Sequence, residues 1–178
     1  MPVLPCDKGK DPLRDWNAHL FTVQRTQYIL VTNTESLYSL VMPGRGITTD
    51  RQFIQSVRTS LQAFVTGQGH HLKGTKDLLP QDRETFFSKI NNRRILGSMN
   101  DFIFQSRFRL EEGQQKLFDV SFYLNETPMS YLKYRSPKDV FQQLLLQEGE
   151  SSSQAHRADN VIYLSKVRPT APKGKGGV

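Results

Sequence analysis

A chain of 178 residues, 37% of them hydrophobic, is long enough to bury a core without metal or disulfide support. Its one cysteine, Cys6, excludes an intrachain disulfide framework and a cysteine-based metal site. No run approaches the ~18 apolar residues of a membrane span and no export signal is read, so a cytosolic protein without a membrane partner is expected.

Residues 1–15 are rich in Pro, Lys, Asp and Gly and read as an N-terminal arm. Trp16, the only tryptophan, is expected to pack on the core and to find a partner for its indole N–H. His19 beside it is a candidate base or ligand, but no partner for it can be located in sequence, and a structural role is the simpler reading. Leu20-Phe21-Thr22-Val23 and Tyr28-Ile29-Leu30-Val31-Thr32 are β-rich runs that read as a hairpin. The second is almost continuously apolar, which suits a strand covered on both faces. After turn chemistry at Asn33-Thr34-Glu35-Ser36, Leu37–Met42 reads as a third strand.

A helix is expected from Thr49 or Asp50, because Thr49 and Gln52 have capping-box spacing. Phe53, Ile54, Val57, Leu61, Phe64 and Val65 form its apolar stripe, and Gly67 is a natural stop. The loop that follows carries His70-His71. Nothing nearby supplies a third metal ligand at recognisable spacing, so no metal and no cofactor is called for. Pro80 is expected to open a short helix through Phe86-Phe87.

The densest set of hydrogen-bonding side chains is Asn91-Asn92-Arg93-Arg94-Ile95-Leu96-Gly97-Ser98-Met99-Asn100-Asp101. Ile95, Leu96, Met99, Phe102 and Ile103 recur at helical steps, and Arg94, Ser98, Asp101 and Gln105 recur on another face. Two readings stand side by side. Asn91, Asn92, Arg93, Arg94, Ser98, Asn100 and Asp101 could bind a ligand such as phosphate at the start of the helix. Or an asparagine caps the helix and the remaining polar groups form a network that specifies the fold.

The helix should end near Glu111-Glu112-Gly113. Phe118, Val120, Phe122 and Leu124 alternate and read as a half-buried strand, followed by a turn at Asn125-Glu126-Thr127-Pro128. Ser136, Pro137 and Asp139 are start signals for a last helix with Val140, Phe141, Leu144 and Leu145 on its apolar face. From Glu148 five basic residues stand against three acidic ones, so +2 of the net charge of +7 falls in the tail. The expected architecture is α+β: residues 16–147 form one domain, an antiparallel sheet of about four strands covered by about three helices. Residues 148–178 read as a mostly disordered, flexible basic tail. Within it, residues 160–164 could add a strand to a sheet edge, in the same chain or in a partner.

Trp16-Asn17-Ala18-His19-Leu20, the central block from Asn91 to Asp101 and Leu124-Asn125-Glu126-Thr127-Pro128 occur in that order. In this the chain resembles a family of small bacterial proteins known only as a domain of unknown function. The resemblance runs from about Trp16 to Leu146. The family pattern has aromatic-Ala-Asn-Leu after the tryptophan and Ser after Asn-Asn-Arg; here Asn17-Ala18-His19 and Arg94 stand at those places. The resemblance implies a bacterial origin and one intact domain, and it carries no catalytic residues with it.

Three functions are open to such a chain. With no catalytic motif, a non-catalytic protein-interaction or regulatory module is the leading expectation. The alternative is a nucleic-acid-binding accessory protein. It would use Lys89, Arg93, Arg94, Arg107, Arg109, Lys133, Arg135 and Lys138 on phosphates, with Tyr131 and Tyr134 as stacking platforms. The third is a hydrolase or phosphoryl-chemistry enzyme around Arg93 and Asp101, with His19 and Glu126 converging on the same cleft.

Overall fold

The structure, a computed structural model, describes residues 12–68, 84–88, 90, 92–111, 115–151 and 161–167. Three strands come first: β1 (Asp15–Val23), β2 (Thr26–Asn33) and β3 (Ser39–Pro43). They pair as an antiparallel meander. Gln24 and Arg25, both at positive φ, make the two-residue β1–β2 turn, the twist that a tight hairpin requires. Then come helix α1 (Asp50–Gly67), strand β4 (Glu84–Ser88) and helices α2 (Arg93–Glu111), α3 (Leu117–Glu126) and α4 (Pro137–Ser151), and last strand β5 (Val161–Val167).

The class is α+β, with a five-stranded sheet in the order β3-β2-β1-β5-β4. The two strands beyond the meander pair in parallel, β5 against β1 and β4 against β5. The sheet is therefore mixed, not wholly antiparallel. The expected short helix through Phe86-Phe87 is strand β4, whose strand partner among the described residues is β5, nearly eighty residues away in sequence. Two described segments of the tail are in regular structure. α4 runs to Ser151, and β5 lies between β1 and β4, inside the sheet and not on its edge. Residues 152–160 and 168–178, the N-terminal arm through residue 11, and His70-His71 lie outside the described residues.

Helices cover both faces of the meander. On one face Trp16, Ala18, Ile29, Val31, Leu40 and Met42 meet Phe53, Val57, Leu61 and Phe64 of α1 and Phe141 and Leu145 of α4. On the other, Phe21, Val23, Leu30 and Val41 meet Ile95, Met99, Phe102 and Ile103 of α2 and Val120 and Leu124 of α3. This is why Ile29, Leu30 and Val31 run on without a polar break: successive side chains enter opposite cores. α1 starts at the capping box, where Gln52 N donates to Thr49 Oγ1 at 3.2 Å and Thr49 N donates to Gln52 Oε1 at 3.2 Å. Ser136 caps α4, accepting from Asp139 N at 3.2 Å.

α3 replaces the strand expected over Phe118–Leu124, and Asn125 and Glu126 belong to its last turn. Its buried positions are Val120, Ser121, Leu124 and Asn125, a helical spacing that includes two polar residues. Those two explain the correction. β3 is an edge strand, and α3 lies along it. Ser39 N donates to Asn125 Oδ1 at 2.8 Å, and Asn125 Nδ2 donates to Ser39 O at 2.6 Å and to Ser121 O at 2.8 Å. Val41 N donates to Ser121 Oγ at 2.9 Å, while that hydroxyl donates to Leu117 O at 2.7 Å. The helix thus supplies, through two side chains, hydrogen bonds that a neighbouring strand would otherwise give.

Replacing Asn125 by Ala leaves the Ser39 N–H and C=O buried with no partner. At about 1–3 kcal/mol for each orphaned group, Asn125→Ala should destabilise the protein by about 2–6 kcal/mol. Ser121→Ala should cost about 1–2 kcal/mol. Urea unfolding of the two variants checks both the size and the order of these effects.

Candidate functional site

The central polar segment divides where it meets the helix. Asn92 stands just before α2, and its Oδ1 accepts from Arg94 N at 3.0 Å and from Ile95 N at 3.4 Å, so it caps the helix. Asn91 lies outside the described residues. Arg93, Arg94, Asn100 and Asp101 are exposed, and Ser98 is buried. The segment therefore has one member spent on the fold and four on the surface.

A second element borders this helix start. Residues 129–135 form a tight loop around a 3₁₀ turn at Ser130–Leu132. The half-buried Tyr131 takes a hydrogen bond from the Asn92 side chain and feels the charges of Glu35 and Arg94. Burial, reinforced by Glu35, raises the Tyr131 hydroxyl above its ordinary value; Arg94 and Asn92 pull the other way. The start of α2, the β2–β3 turn and the 129–135 loop thus meet at one end of the sheet. Asn125 reaches the same end through Ser39, and Trp16 is level with it in the ladder, opposite Asn33, but on the other face of the sheet.

The remaining candidates do not join that cluster. Trp16 is fully buried on the opposite face of the sheet, its indole N–H donating to Leu13 O at 2.8 Å and its ring edge-on to Phe141. Glu126 is ion-paired with Lys138 of α4 at 2.6 Å. His19 is half-buried on β1, and its Nδ1 is buried with no hydrogen-bond partner among the described residues. Burial, and then the nearby Arg107, lower its pKa from 6.5. Among the described residues no hydrogen bond or ion pair joins any two of His19, Arg93, Asp101 and Glu126. Nor does any group of three or more His, Cys, Asp or Glu there suit a metal.

Two surface features stand out, and the sequence reading named only the second of them. Phe104 and Phe108 lie one turn apart on the outward face of α2, 74% and 62% exposed. Tyr134, at the tip of the 129–135 loop, is 78% exposed. The first was open to detection, because Phe104 and Phe108 fall out of step with the buried stripe of Ile95, Met99, Phe102 and Ile103. On α3, Arg109 of α2 lies over the ring of Tyr123, 3.2 Å from its centroid, and the arginine's hydrogen bond lowers the tyrosine's pKa.

The fold accommodates His19 as the neutral imidazole, so on acidification the unfolded chain takes up the proton first. The stability this group contributes is complete above 6.5 and is lost as pH falls below it, towards the lower folded-state value. Between about pH 7.5 and pH 5.5 the native protein should therefore lose more thermal stability than His19→Gln does. Melting curves of both at a series of pH values check this, and parallel losses would contradict it.

Among the described residues no helix is long and apolar enough to cross a membrane. No curated protein matches the chain. A family model described as a domain of unknown function (DUF6933) matches residues 1–140, well over half of the sequence, and the chain belongs to that family.

Proposed function

We propose that the chain is a non-catalytic protein-interaction module whose docking surface is the outward face of α2. The observation that carries this reading is the pair Phe104 and Phe108, two rings exposed side by side on one helix. Covering both would contribute about 3–6 kcal/mol, by the usual scale of side-chain burial. Gly97 supports the reading. It lies on the same face, seven residues before Phe104 and eleven before Phe108, and a Cβ built on it would meet nothing within 4 Å. The fold itself gives no reason for a glycine there, although it weakens a helix interior by about 0.5–1 kcal/mol relative to alanine. A partner backbone lying close over that turn supplies the reason.

Charge gives the partner its chemistry. Arg93, Arg94 and Arg107 are exposed along this side of α2, with Asp101 among them. The complementary surface is an apolar pocket or groove with an acidic rim.

The test is a photo-crosslinking residue placed at position 104 or 108, with position 62 on the exposed side of α1 as control, in extracts of the source cells. Any captured protein is then purified and titrated. A partner crosslinked from 104 and 108 but not 62, with affinity at least tenfold weaker for Phe104→Ala/Phe108→Ala, is the expected result. Gly97→Leu should also weaken it without lowering the melting temperature. Crosslinks confined to this chain or to a second copy of it, or an affinity indifferent to the paired substitution, would defeat the reading.

A further inference from the structure

The 129–135 loop holds an aromatic ring in the open at a conformational cost. Lys133 lies in the left-handed region at φ 55° and ψ 44°, and Tyr134 follows at φ 63°. Neither is the glycine or asparagine that such backbone favours. The loop is nonetheless closely determined. Tyr134 N donates to Met129 O at 2.9 Å, Met129 N to Arg135 O at 3.1 Å, Lys133 N to Ser130 O at 3.0 Å and Arg135 N to Leu132 O at 3.2 Å. Met129 and Leu132 anchor it in the core beside α2 and α3. What it presents to solvent is Lys133, Tyr134 and Arg135 in succession.

The surroundings add cations. Arg94 is exposed at the start of α2 and lies close enough for its charge to act on Tyr131 of the loop. Arg135 donates to Gln143 Oε1 at 2.6 Å, a neutral partner that leaves its charge uncompensated. Among the described residues none of Arg94, Lys133 and Arg135 forms an ion pair. Glu35 is the acidic group near Tyr131.

We propose that Lys133, Tyr134, Arg135 and Arg94 form a binding site for single-stranded nucleic acid, with one base stacked on Tyr134 and the flanking phosphates on the three cations. An exposed ring between two basic residues fits a ligand with flat faces and negative charge at each repeat. A duplex hides its base faces in the stack and offers only the phosphates. The strained backbone is what keeps the ring outward. Lys133, Tyr134 and Arg135 belong to the loop and not to α2, and Arg94 is the one residue shared with the α2 surface, so the proposal does not depend on Phe104 and Phe108.

The test is fluorescence anisotropy of the full chain with a labelled oligothymidylate, a duplex of equal length and a polyglutamate peptide, at about 50 and 200 mM salt. Oligothymidylate should bind more tightly than the duplex. Three phosphate contacts on a single strand predict a log–log salt slope of about −2. Tyr134→Ala should weaken binding roughly tenfold. Lys133→Gln/Arg135→Gln should make the slope shallower by about 1.4. Tyr134→Gly, which suits the left-handed backbone, serves as the folding control: it should melt like the native protein and still lose affinity. Phe104→Ser/Phe108→Ser should bind as the native chain does. No binding at the lower salt, binding indifferent to Tyr134→Ala, a preference for polyglutamate, or loss of binding in the Phe104/Phe108 variant would each overturn the proposal.

Discussion

The hydrogen bonds between the Asn125 side chain and the backbone of Ser39 determine much of how the rest is arranged. A sheet edge carries N–H and C=O groups that must be satisfied by water, by another strand or by side chains. Here α3 lies so close that water is excluded, and a buried amide takes over the pairing. The amide's three hydrogen bonds are all made inside the protein. Ser121 does the same one turn earlier, for Val41. The helix is therefore fixed in register against the strand by directional bonds, whereas apolar packing alone would let it slide.

Once α3 is fixed, its other sides set its neighbours. Phe118 meets Phe64 of α1 edge to face, with ring centroids 5.1 Å apart, and so joins this helix to one on the opposite face of the sheet. Glu126 pairs with Lys138 of α4. Arg109 of α2 stacks on Tyr123. The last two contacts lie at the surface, where each contributes no more than about 1 kcal/mol, so they orient more than they stabilise. The gain in free energy comes from the two apolar cores, and the buried amide selects one arrangement of the helix that covers the second of them.

The same interaction shows where the sequence is legible and where it is not. α1 could be read with its capping box and stop because every signal is local. The continuous apolar run at Ile29, Leu30 and Val31 correctly implied cover on both faces. Phe118–Leu124 misled because its alternation is real but its partners are not where apolarity points. Phe118 and Phe122 stay partly exposed while Ser121 and Asn125 go inside, an inversion that only the edge of β3 explains. β4 and the central place of β5 in the sheet were opaque for another reason, although residues 160–164 could be read as a possible edge strand. Parallel pairing between segments far apart in sequence leaves no local pattern, and the Val161–Val167 strand sits in a composition that argues for a tail. Of the candidate site, the cap at Asn92 followed from residue type and position. The left-handed pair at Lys133 and Tyr134 had no residue that announces it.

The way the sheet is closed limits where this protein can meet anything else. Both faces of the meander are covered, α3 occupies the outer edge of β3, and β5 occupies the free side of β1. Adding a partner strand to the meander would mean displacing an element of the chain itself. What remains for recognition is the outer surface of the helices, the loops at the sheet's ends and the outer edge of β4. On those surfaces two departures from local preference coincide with exposed aromatic rings, unlike the left-handed Gln24–Arg25 pair, which the tight β1–β2 hairpin requires. A glycine interrupts the helix interior where no neighbour demands it, and two residues without glycine's freedom take left-handed backbone in succession. Each lies beside large aromatic side chains left in water, Phe104 and Phe108 in one case and Tyr134 in the other. Local cost and exposed apolar surface thus fall together at both places. They are accounted for together if the missing stabilisation comes from a bound partner.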